Sequence, residues 1–251
     1  MRYTVLTYIF DGYEHVHEIG EKDPDAEYIL VTDDPSLMSK TWKVVVDEEL
    51  LKLSPFNKCY RVRFIPFHYG NTDIVVRIDG SITVKSSLRP IVDAFIQGGY
   101  DRCLMIHPER NTMPVEYREW VRSRGYPQKQ ADKCLAMMKR MGYDFAYKGL
   151  YQGCFEILRN NFVNLNLNAM TFGLLRYLGE DEQHIERIDQ TVFSFAANLL
   201  FSDELKVMPV SEMIVTHSKY MQWNFHKRNI PITKYPKIEP FLFNKPVKPI
   251  L

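Results

Sequence analysis

Short apolar segments that end in polar residues are the feature that most limits the fold of this chain. Five such segments follow one another in the first third of the sequence: "YTVLTYIF", "EYILVTDDP", "WKVVVD", "YRVRFIPF" and "DIVVRIDGS". Their length and β-branched content are typical of strands that are buried on both faces. We therefore predict a mostly parallel sheet covered by helices on both sides, with the polar ends of the strands along one edge.

A helical pattern replaces these segments further along the chain. Apolar residues recur at helical spacing in "SLRPIVDAFIQGG", and amphipathic helices are predicted for "MPVEYREWVRSRGY", "PQKQADKCLAMMKRMGY" and "ERIDQTVFSFAANLLF". A sheet-rich N-terminal half that is followed by a helical C-terminal half indicates one α/β domain, which we place at residues 1–218.

The segment from residue 219 to residue 251 has a different composition. Seven basic residues stand there against a single acidic residue, Glu239, and five prolines are interleaved with aromatic residues. Proline at this density predicts an extended arm. The arm either packs over the domain or over a second subunit of a homodimer, or it contacts an anionic membrane surface.

Charge balance and cysteine content exclude several classes of protein. Lysine and arginine total 32 against 31 acidic residues, so we expect no general attraction to nucleic acid. The four cysteines form no closely spaced pair of the metal-binding type, and we expect them to be reduced. The apolar N-terminus is too short for a secretory signal, and no apolar segment approaches the roughly 18 residues of a membrane span. We predict a cytoplasmic protein with at most peripheral contact at the inner face of the membrane.

The predicted strand ends contain the first candidate binding residues. These are Asp11, Gly12 and Tyr13, then Thr32, Asp33 and Asp34, and then Asp79, Gly80 and Ser81. Open α/β sheets bind ligands beyond the carboxyl ends of their strands. Carboxylates there can hold Mg²⁺ or Mn²⁺, which also binds substrate phosphates, and Gly80 would let a phosphate approach the backbone. An Asp-Gly pair after a strand is also an ordinary turn sequence, so the prediction depends on the whole edge.

Two later motifs contain further candidates. His107 and Arg110 precede a predicted helix start, where backbone N–H groups and a guanidinium could bind an anion, although a loop and a helix cap would explain them too. The second motif contains Arg187, Asp189 and Gln190 at the start of an apolar helix. An aspartate at this position is also common as an ordinary helix cap.

The order of these motifs resembles a known family. "YILVTDD", "VRIDGSI", "HPER", "GYP", "KGLYQGCFEILRNN" and "RIDQTVFSF" follow one another as in the glycosyltransferase-like family that includes a plant seed-mucilage protein and many bacterial polysaccharide-locus proteins. The resemblance covers about residues 3–200, and the family is similar to GT-A-type nucleotide-sugar transferases and distantly to the glycogenin-like retaining enzymes. It implies a GT-A-like fold and sugar transfer from a nucleotide diphosphate donor to a hydroxyl of a glycan or lipid-linked glycan. Such transfer belongs to the synthesis of surface polysaccharides such as capsule or O-antigen.

The resemblance also implies roles for individual residues. Asp79 stands at the metal-binding Asp-x-Asp motif, in which Ser81 replaces the second aspartate, and His226 or His217 is a candidate further ligand for Mn²⁺ or Mg²⁺. The donor site would include Asp11, Gly12, Tyr13, Thr32, Asp33, Asp34, Gly80, Ser81, His107 and Arg110, with Arg61, Arg63 and Arg110 available to stabilise the leaving diphosphate. Asp189, with Gln190 beside it, is the candidate catalytic group that accepts the acceptor proton or supports the sugar ring, next to Arg187.

Two other classes of function remain open at this point. A metal-dependent hydrolase would use the same carboxylates with water as the acceptor. A non-catalytic module that binds a nucleotide sugar or a glycan is favoured by the replacement of the second aspartate by Ser81.

Overall fold

The computed structural model describes residues 1–53, 55–107, 110, 112–123, 127–178 and 188–224. The strands are β1 (Tyr3–Ile9), β2 (Ala26–Thr32), β3 (Lys43–Val46), β4 (Ile74–Ile78), β5 (Ile82–Val84), β6 (Arg102–Ile106), β7 (Tyr151–Arg159), β8 (Val207–Ser211) and β9 (Met221–Trp223). The α-helices are α1 (Pro55–Phe64), α2 (Arg89–Gln97), α3 (Met113–Ser123), α4 (Gln128–Arg140), α5 (Phe162–Leu178), α6 (Asp189–Phe195) and α7 (Met213–Thr216). Short 3₁₀ helices cover Glu48–Lys52 and Pro66–His68, and a π-helical turn, Ala196–Leu200, continues α6.

A seven-stranded sheet in the order β3-β2-β1-β4-β7-β6-β8 organises these elements. Six strands run in one direction, and β7 is antiparallel to both of its neighbours. The order 3-2-1-4 of the first four strands is that of a Rossmann-type sheet, which places ligands where the order reverses, here between β1 and β4. The predicted α/β class with a mostly parallel sheet is confirmed.

Apolar side chains cover both faces of this sheet. Val5 of β1 packs with Ile91 and Val92 of α2, while the next residue, Leu6, packs with Val62 of α1. Helices α5 and α6 cover β6 in a further cluster. Successive side chains of a strand point to opposite faces, so strands that are apolar at nearly every position require this double cover.

The prediction of a strand at "YRVRFIPF" is wrong, because most of this segment lies in α1. Tyr60, Val62 and Phe64 are apolar at alternate positions, which is the pattern of a strand. In the helix, Tyr60 and Phe64 are one turn apart and pack together beneath α5, whereas Val62 faces the sheet. A helix that is buried on two sides can therefore have apolar residues at every second position over a short segment, as a strand does.

The expectation of a helical C-terminal half is also wrong, because β7 and β8 of the large sheet lie in that half. All four cysteines are free thiols, as expected. No helix in the described part of the chain has the length and apolar character that crossing a bilayer requires.

Of the predicted arm, only residues 219–224 are described. They include β9, which pairs antiparallel with β5 in a small second sheet. The remainder, from residue 225 to residue 251, lies outside the described residues.

Candidate active site

A tight turn begins the loop after β1. Asp11 and Gly12 have φ angles of 52° and 60°, and the N–H of Tyr13 donates to the carbonyl of Phe10. Two successive residues with positive φ are characteristic of a type I′ turn, in which Asp-Gly is a favoured pair. The turn holds the half-exposed Asp11 carboxylate and the exposed Tyr13 ring beyond the carboxyl end of the strand.

Asp11 and Asp33, from the ends of β1 and β2, meet around one lysine. The Asp11 N–H donates to Asp33 Oδ1 at 3.1 Å, and Lys58 Nζ of α1 lies 2.8 Å from an Asp11 oxygen and 2.6 Å from an Asp33 oxygen. Burial alone would raise the pKa of Asp33, but the hydrogen bonds from Lys58 and from the Asp11 N–H lower it. We call these three residues the Lys58 cluster, in which one ammonium group faces two carboxylates.

Thr32 and Asp34 shape the loop that follows β2. The Thr32 hydroxyl accepts a hydrogen bond from the Asp34 N–H at 3.1 Å, and Asp34 Oδ1 accepts from the N–H and the hydroxyl of Ser36 at 2.8 and 2.6 Å. Contacts of this kind are typical of side-chain-stabilised turns. Direct contact of either residue with a nucleoside stays a prediction.

The turn after β4, residues 79–81, packs against the end of β1. The Asp79 N–H donates to the carbonyl of Cys154 in β7 at 2.9 Å. A Cβ added at Gly80 would stand 2.9 Å from the Tyr8 carbonyl oxygen. The close approach of the turn to β1 therefore requires the glycine, and the approach of a phosphate to its backbone stays a prediction.

The side chain of Asp79 is 38% exposed and has polar neighbours. Its Oδ1 lies 3.4 Å from Arg77 Nη1 and accepts a long hydrogen bond, 3.5 Å, from the Tyr8 hydroxyl. Ser81 in the same turn is buried. One part-exposed carboxylate fits Mg²⁺ or Mn²⁺, because these ions take their remaining ligands from water and from substrate phosphates.

Four buried charged side chains lie where the sheet meets α1 and α5, and we call them the Glu156 cluster. Glu156 of β7 is contacted by Arg77 Nη2 at 2.6 Å, by Arg102 Nε at 3.0 Å and by Arg63 Nη2 at 3.6 Å. Burial would raise the pKa of Glu156, but the three arginines hold it at about 2. Arg102 also donates to Asn168 Oδ1 of α5 at 2.8 Å.

The Glu156 cluster reaches two of the predicted carboxylates. Arg77 lies beside Asp79, and Arg63 forms an ion pair with Asp189 at the start of α6. A Cβ at Gly153, at the beginning of β7, would overlap the Arg63 guanidinium. Because β7 runs antiparallel, its beginning lies at the carboxyl edge of β4, and Asp189 is therefore held at the same edge as Asp79.

Gln190 follows Asp189 on α6 and has a buried side-chain oxygen. Within the described residues, Gln190 Oε1 has no hydrogen-bond partner. Ser194 donates to the Gln190 carbonyl at 2.6 Å and accepts from the Tyr151 N–H at 2.9 Å, which fastens α6 to the start of β7. A buried oxygen without a partner costs free energy, and a hydroxyl group of a ligand would remove that cost.

Arg61 does not join Arg63 at the Glu156 cluster. Arg61 Nη2 lies 2.5 Å from Glu49, and its Nε lies 3.5 Å from Asp47. Side chains that are two residues apart on a helix point in nearly opposite directions. The helical form of this segment therefore separates Arg61 from Arg63.

His107 and Arg110 shape the connection between β6 and α3. The His107 Nδ1 accepts from the Arg110 N–H at 3.0 Å, and Arg110 Nη1 donates to the buried Glu116 at 2.7 Å. Their proposed contact with a phosphate stays a prediction.

Of the two candidate histidine ligands and Arg187, only His217 belongs to the described residues. His217 ends α7, with its Nδ1 2.8 Å from Thr216 Oγ1. Arg187 and His226 lie outside the described residues.

Sequence reasoning missed Lys58, Arg77, Arg102 and Glu156. Three of them left a signal, because each is a lone charge in an apolar strand: "VVRID", "RCLMI" and "CFEIL". A buried charge is costly unless it is paired, so lone charges in several strands indicate contacts between those strands. Lys58, which precedes the segment predicted as a strand, left none.

Similarity to known proteins is found at the level of structure. A scan against protein-family models and a search of curated proteins gave no match. Among solved structures, the chain is similar to apo mouse xyloside xylosyltransferase 1, with 7% identity over 84% of this chain and 85% of that chain and a TM-score of 0.46. It is also similar to apo WbbM, a bifunctional glycosyltransferase, with 14% identity over 83% of this chain but only 38% of that chain and a TM-score of 0.47. Similarities at this level do not establish a common activity, so the functional conclusion depends on the residues at the carboxyl edge.

Proposed function

We propose that the protein transfers a sugar from a nucleotide diphosphate donor to a hydroxyl group of a glycan. The observation that carries this proposal is the position of Asp79 and Asp189 at one edge of the sheet, each beside an arginine of the Glu156 cluster. This edge includes the point between β1 and β4 where nucleotides bind in Rossmann-type sheets. Two segments that are distant in the sequence would thus supply a donor-side and an acceptor-side carboxylate to this edge of the sheet.

The nucleoside would bind beside the loops that follow β1 and β2. The half-exposed Asp11 carboxylate can accept hydrogen bonds from ribose hydroxyls, and the exposed Tyr13 ring can pack against a base. Lys58 fixes the position of Asp11 and limits the negative charge that a diphosphate would meet. Thr32, Asp33 and Asp34 support the second of these loops.

The diphosphate would lie at the turn of residues 79–81. Asp79 would hold Mn²⁺ or Mg²⁺, which supplies stabilisation of the negative charge on the departing diphosphate when it is bound. Arg77 and Tyr8 orient the Asp79 carboxylate. Burial and the neighbouring Asp79 raise the pKa of Tyr8 well above its ordinary value, so its hydroxyl remains a hydrogen-bond donor.

The acceptor hydroxyl would approach Asp189 and Gln190. Asp189 is placed to take the proton of that hydroxyl or to stabilise positive charge on the sugar ring. Arg63 orients the carboxylate, and the buried Gln190 Oε1 offers a second hydrogen-bond acceptor.

The resemblance supports finer parts of the proposal. We propose that the acceptor is a growing surface polysaccharide such as capsule or O-antigen, free or lipid-linked, and that the anomeric configuration is retained. The reaction would take place in the cytoplasm at the inner face of the membrane. The basic residues of the segment 219–251 would contact anionic lipids there or a second subunit.

Release of nucleoside diphosphate from a panel of nucleotide sugars, with Mn²⁺ and with or without glycan acceptors, tests the proposal. We expect Asp79→Asn to abolish acceptor-dependent release and Asp189→Asn to reduce kcat strongly while both variants keep the fold. Asp93→Asn, a part-exposed aspartate on α2, is the matched control and should keep full activity.

Three outcomes would contradict the proposal. A folded Asp79→Asn variant with full activity would remove the donor-site assignment. Complete turnover of the donor without any glycan would indicate a hydrolase. Tight donor binding without turnover across the acceptor panel would indicate a binding module.

A further inference from the structure

Among the described residues, three side chains of the loop after β1 form a cluster that the proposed reaction does not use. Glu14, His15 and His17 each place one potential ligand atom within 4.8 Å of the other two. His15 Nδ1 lies 2.9 Å from Glu14 Oε1, and His17 Nε2 lies 3.9 Å from the same oxygen. The two imidazole rings are 4.4 Å apart between centroids.

Burial makes this cluster unusual. The Glu14 side chain is fully buried and that of His17 is 4% exposed, whereas His15 is 38% exposed. Within the described residues, His17 Nε2 is buried without a hydrogen-bond partner. Leaving such a nitrogen unpaired costs free energy, and a bound cation would supply the missing partner.

We propose that Glu14, His15 and His17 bind a divalent cation of the Zn²⁺ class through three protein ligands and an open fourth position. Two imidazoles and one carboxylate are a ligand set that zinc uses with an open position, whereas Mg²⁺ and Mn²⁺ favour oxygen ligands. Ligand atoms of a tetrahedral zinc site lie about 3.3 Å apart, because each bond is about 2.0–2.1 Å long. The two distances to Glu14 Oε1 lie on either side of this value. The two imidazole nitrogens lie within 4.8 Å of each other, so they would have to approach by at most about 1.5 Å to bind one ion.

The position of the site gives the cation a structural consequence. Glu14 is next to the turn after β4, since a Cβ added at Gly80 would stand 3.8 Å from the Glu14 Cβ. The site also lies two residues after the type I′ turn of Asp11 and Gly12. A bound cation would therefore stiffen the first loop where Glu14 packs beside the 79–81 turn, and the part-exposed His15 offers a route of entry.

Metal binding by the full chain tests this inference. After treatment with a chelator and its removal, titration calorimetry with ZnCl₂ should show one bound ion per chain, with MnCl₂ and MgCl₂ at least tenfold weaker. At a free zinc concentration 100 times Kd, the Tm should rise on the order of 5–10 °C. X-ray absorption at the zinc edge should show imidazole ligands.

Variants locate the ion. His15→Asn, at a part-exposed position that tolerates change, should weaken zinc binding by more than the roughly 10–100-fold that loss of an outer hydrogen-bond partner costs. The exposed His68→Asn is the matched control and should bind zinc as the parent does. Asp79→Asn should also keep zinc binding, which separates this site from the proposed donor site.

Two results would overturn the inference. One is zinc binding that survives both His15→Asn and His17→Gln, because the ion would then lie elsewhere. The other is an absence of zinc binding to the folded parent chain at micromolar concentration, which would leave Glu14 and His15 as a hydrogen-bonded pair without a metal. Neither result would bear on the transferase assay with Mn²⁺.

Discussion

The Lys58 cluster and the Glu156 cluster are two charged groups between α1 and the sheet, and their compositions are opposite. In the first, one ammonium group serves two carboxylates, and Asp11 is half exposed. In the second, three guanidinium groups surround one carboxylate, and all four side chains are buried. The acidic group, in which Asp11 is accessible, suits sugar hydroxyls or a cation, whereas the basic, buried group orients the carboxylates at its margins. Helix α1 thus supplies the cation of a part-exposed cluster and one arginine of a buried cluster.

The largest expected effect is that of Glu156→Gln on stability. Loss of this carboxylate would leave three buried arginines without their common partner, so we expect the free energy of unfolding to fall by about 3–5 kcal/mol. Urea unfolding at neutral pH measures it. A loss below about 1 kcal/mol would show that water or other side chains compensate the arginines, and the contrast between the two clusters would be wrong.

Acid should remove nearly as much stability. The pKa of Glu156 is about 2 in the folded chain against an ordinary value of 4.5. A lowered pKa stabilises the fold above about pH 4.5, and this contribution, about 3 kcal/mol, is lost as the pH falls towards 2. The difference in unfolding free energy between the parent and Glu156→Gln should therefore shrink from pH 5 to pH 3. A constant difference would contradict the assigned pKa.

Removal of the shared ammonium should have a somewhat smaller effect. Lys58→Met would leave the buried Asp33 carboxylate with the Asp11 N–H but without its cation, so we expect a loss of about 2–3 kcal/mol in the free energy of unfolding. The double variant Lys58→Met with Asp33→Asn should recover part of that loss. No recovery would mean that Lys58 stabilises the fold through its packing.

The smallest effects separate the two arginines of α1. Arg63→Lys replaces the guanidinium that orients Asp189, so kcat should fall roughly 10–100-fold with little change in KM. Arg61→Lys, which faces Glu49 and Asp47, should lower Tm slightly and leave kcat unchanged. Equal effects of the two substitutions on kcat would contradict the placement of Arg63 as a positioning residue.

The sequence predicted more of the fold than of the candidate site. β1, β2 and β4 were recognised because buried parallel strands are continuous apolar segments, and α2 was recognised from its helical spacing and the glycines that follow it. β7 was missed because Gly153 and Glu156 interrupt its apolar pattern. The loop Glu14-His15-Val16-His17 contains two histidines, two residues apart, beside an acid, but only the structure shows that the three side chains meet.

The sequence by itself determined where β1, β2 and β4 lie and which polar residues follow them. These properties depend on residues that are close in the sequence, so local spacing and backbone preference are sufficient to predict them. Only the tertiary structure decided which charges meet. The antiparallel register of β4 and β7 places Arg77 opposite Glu156, and the helical form of α1 turns Arg63 towards Asp189 and Arg61 away. Such pairs join segments far apart in the chain, and strand register and helix orientation bring them together.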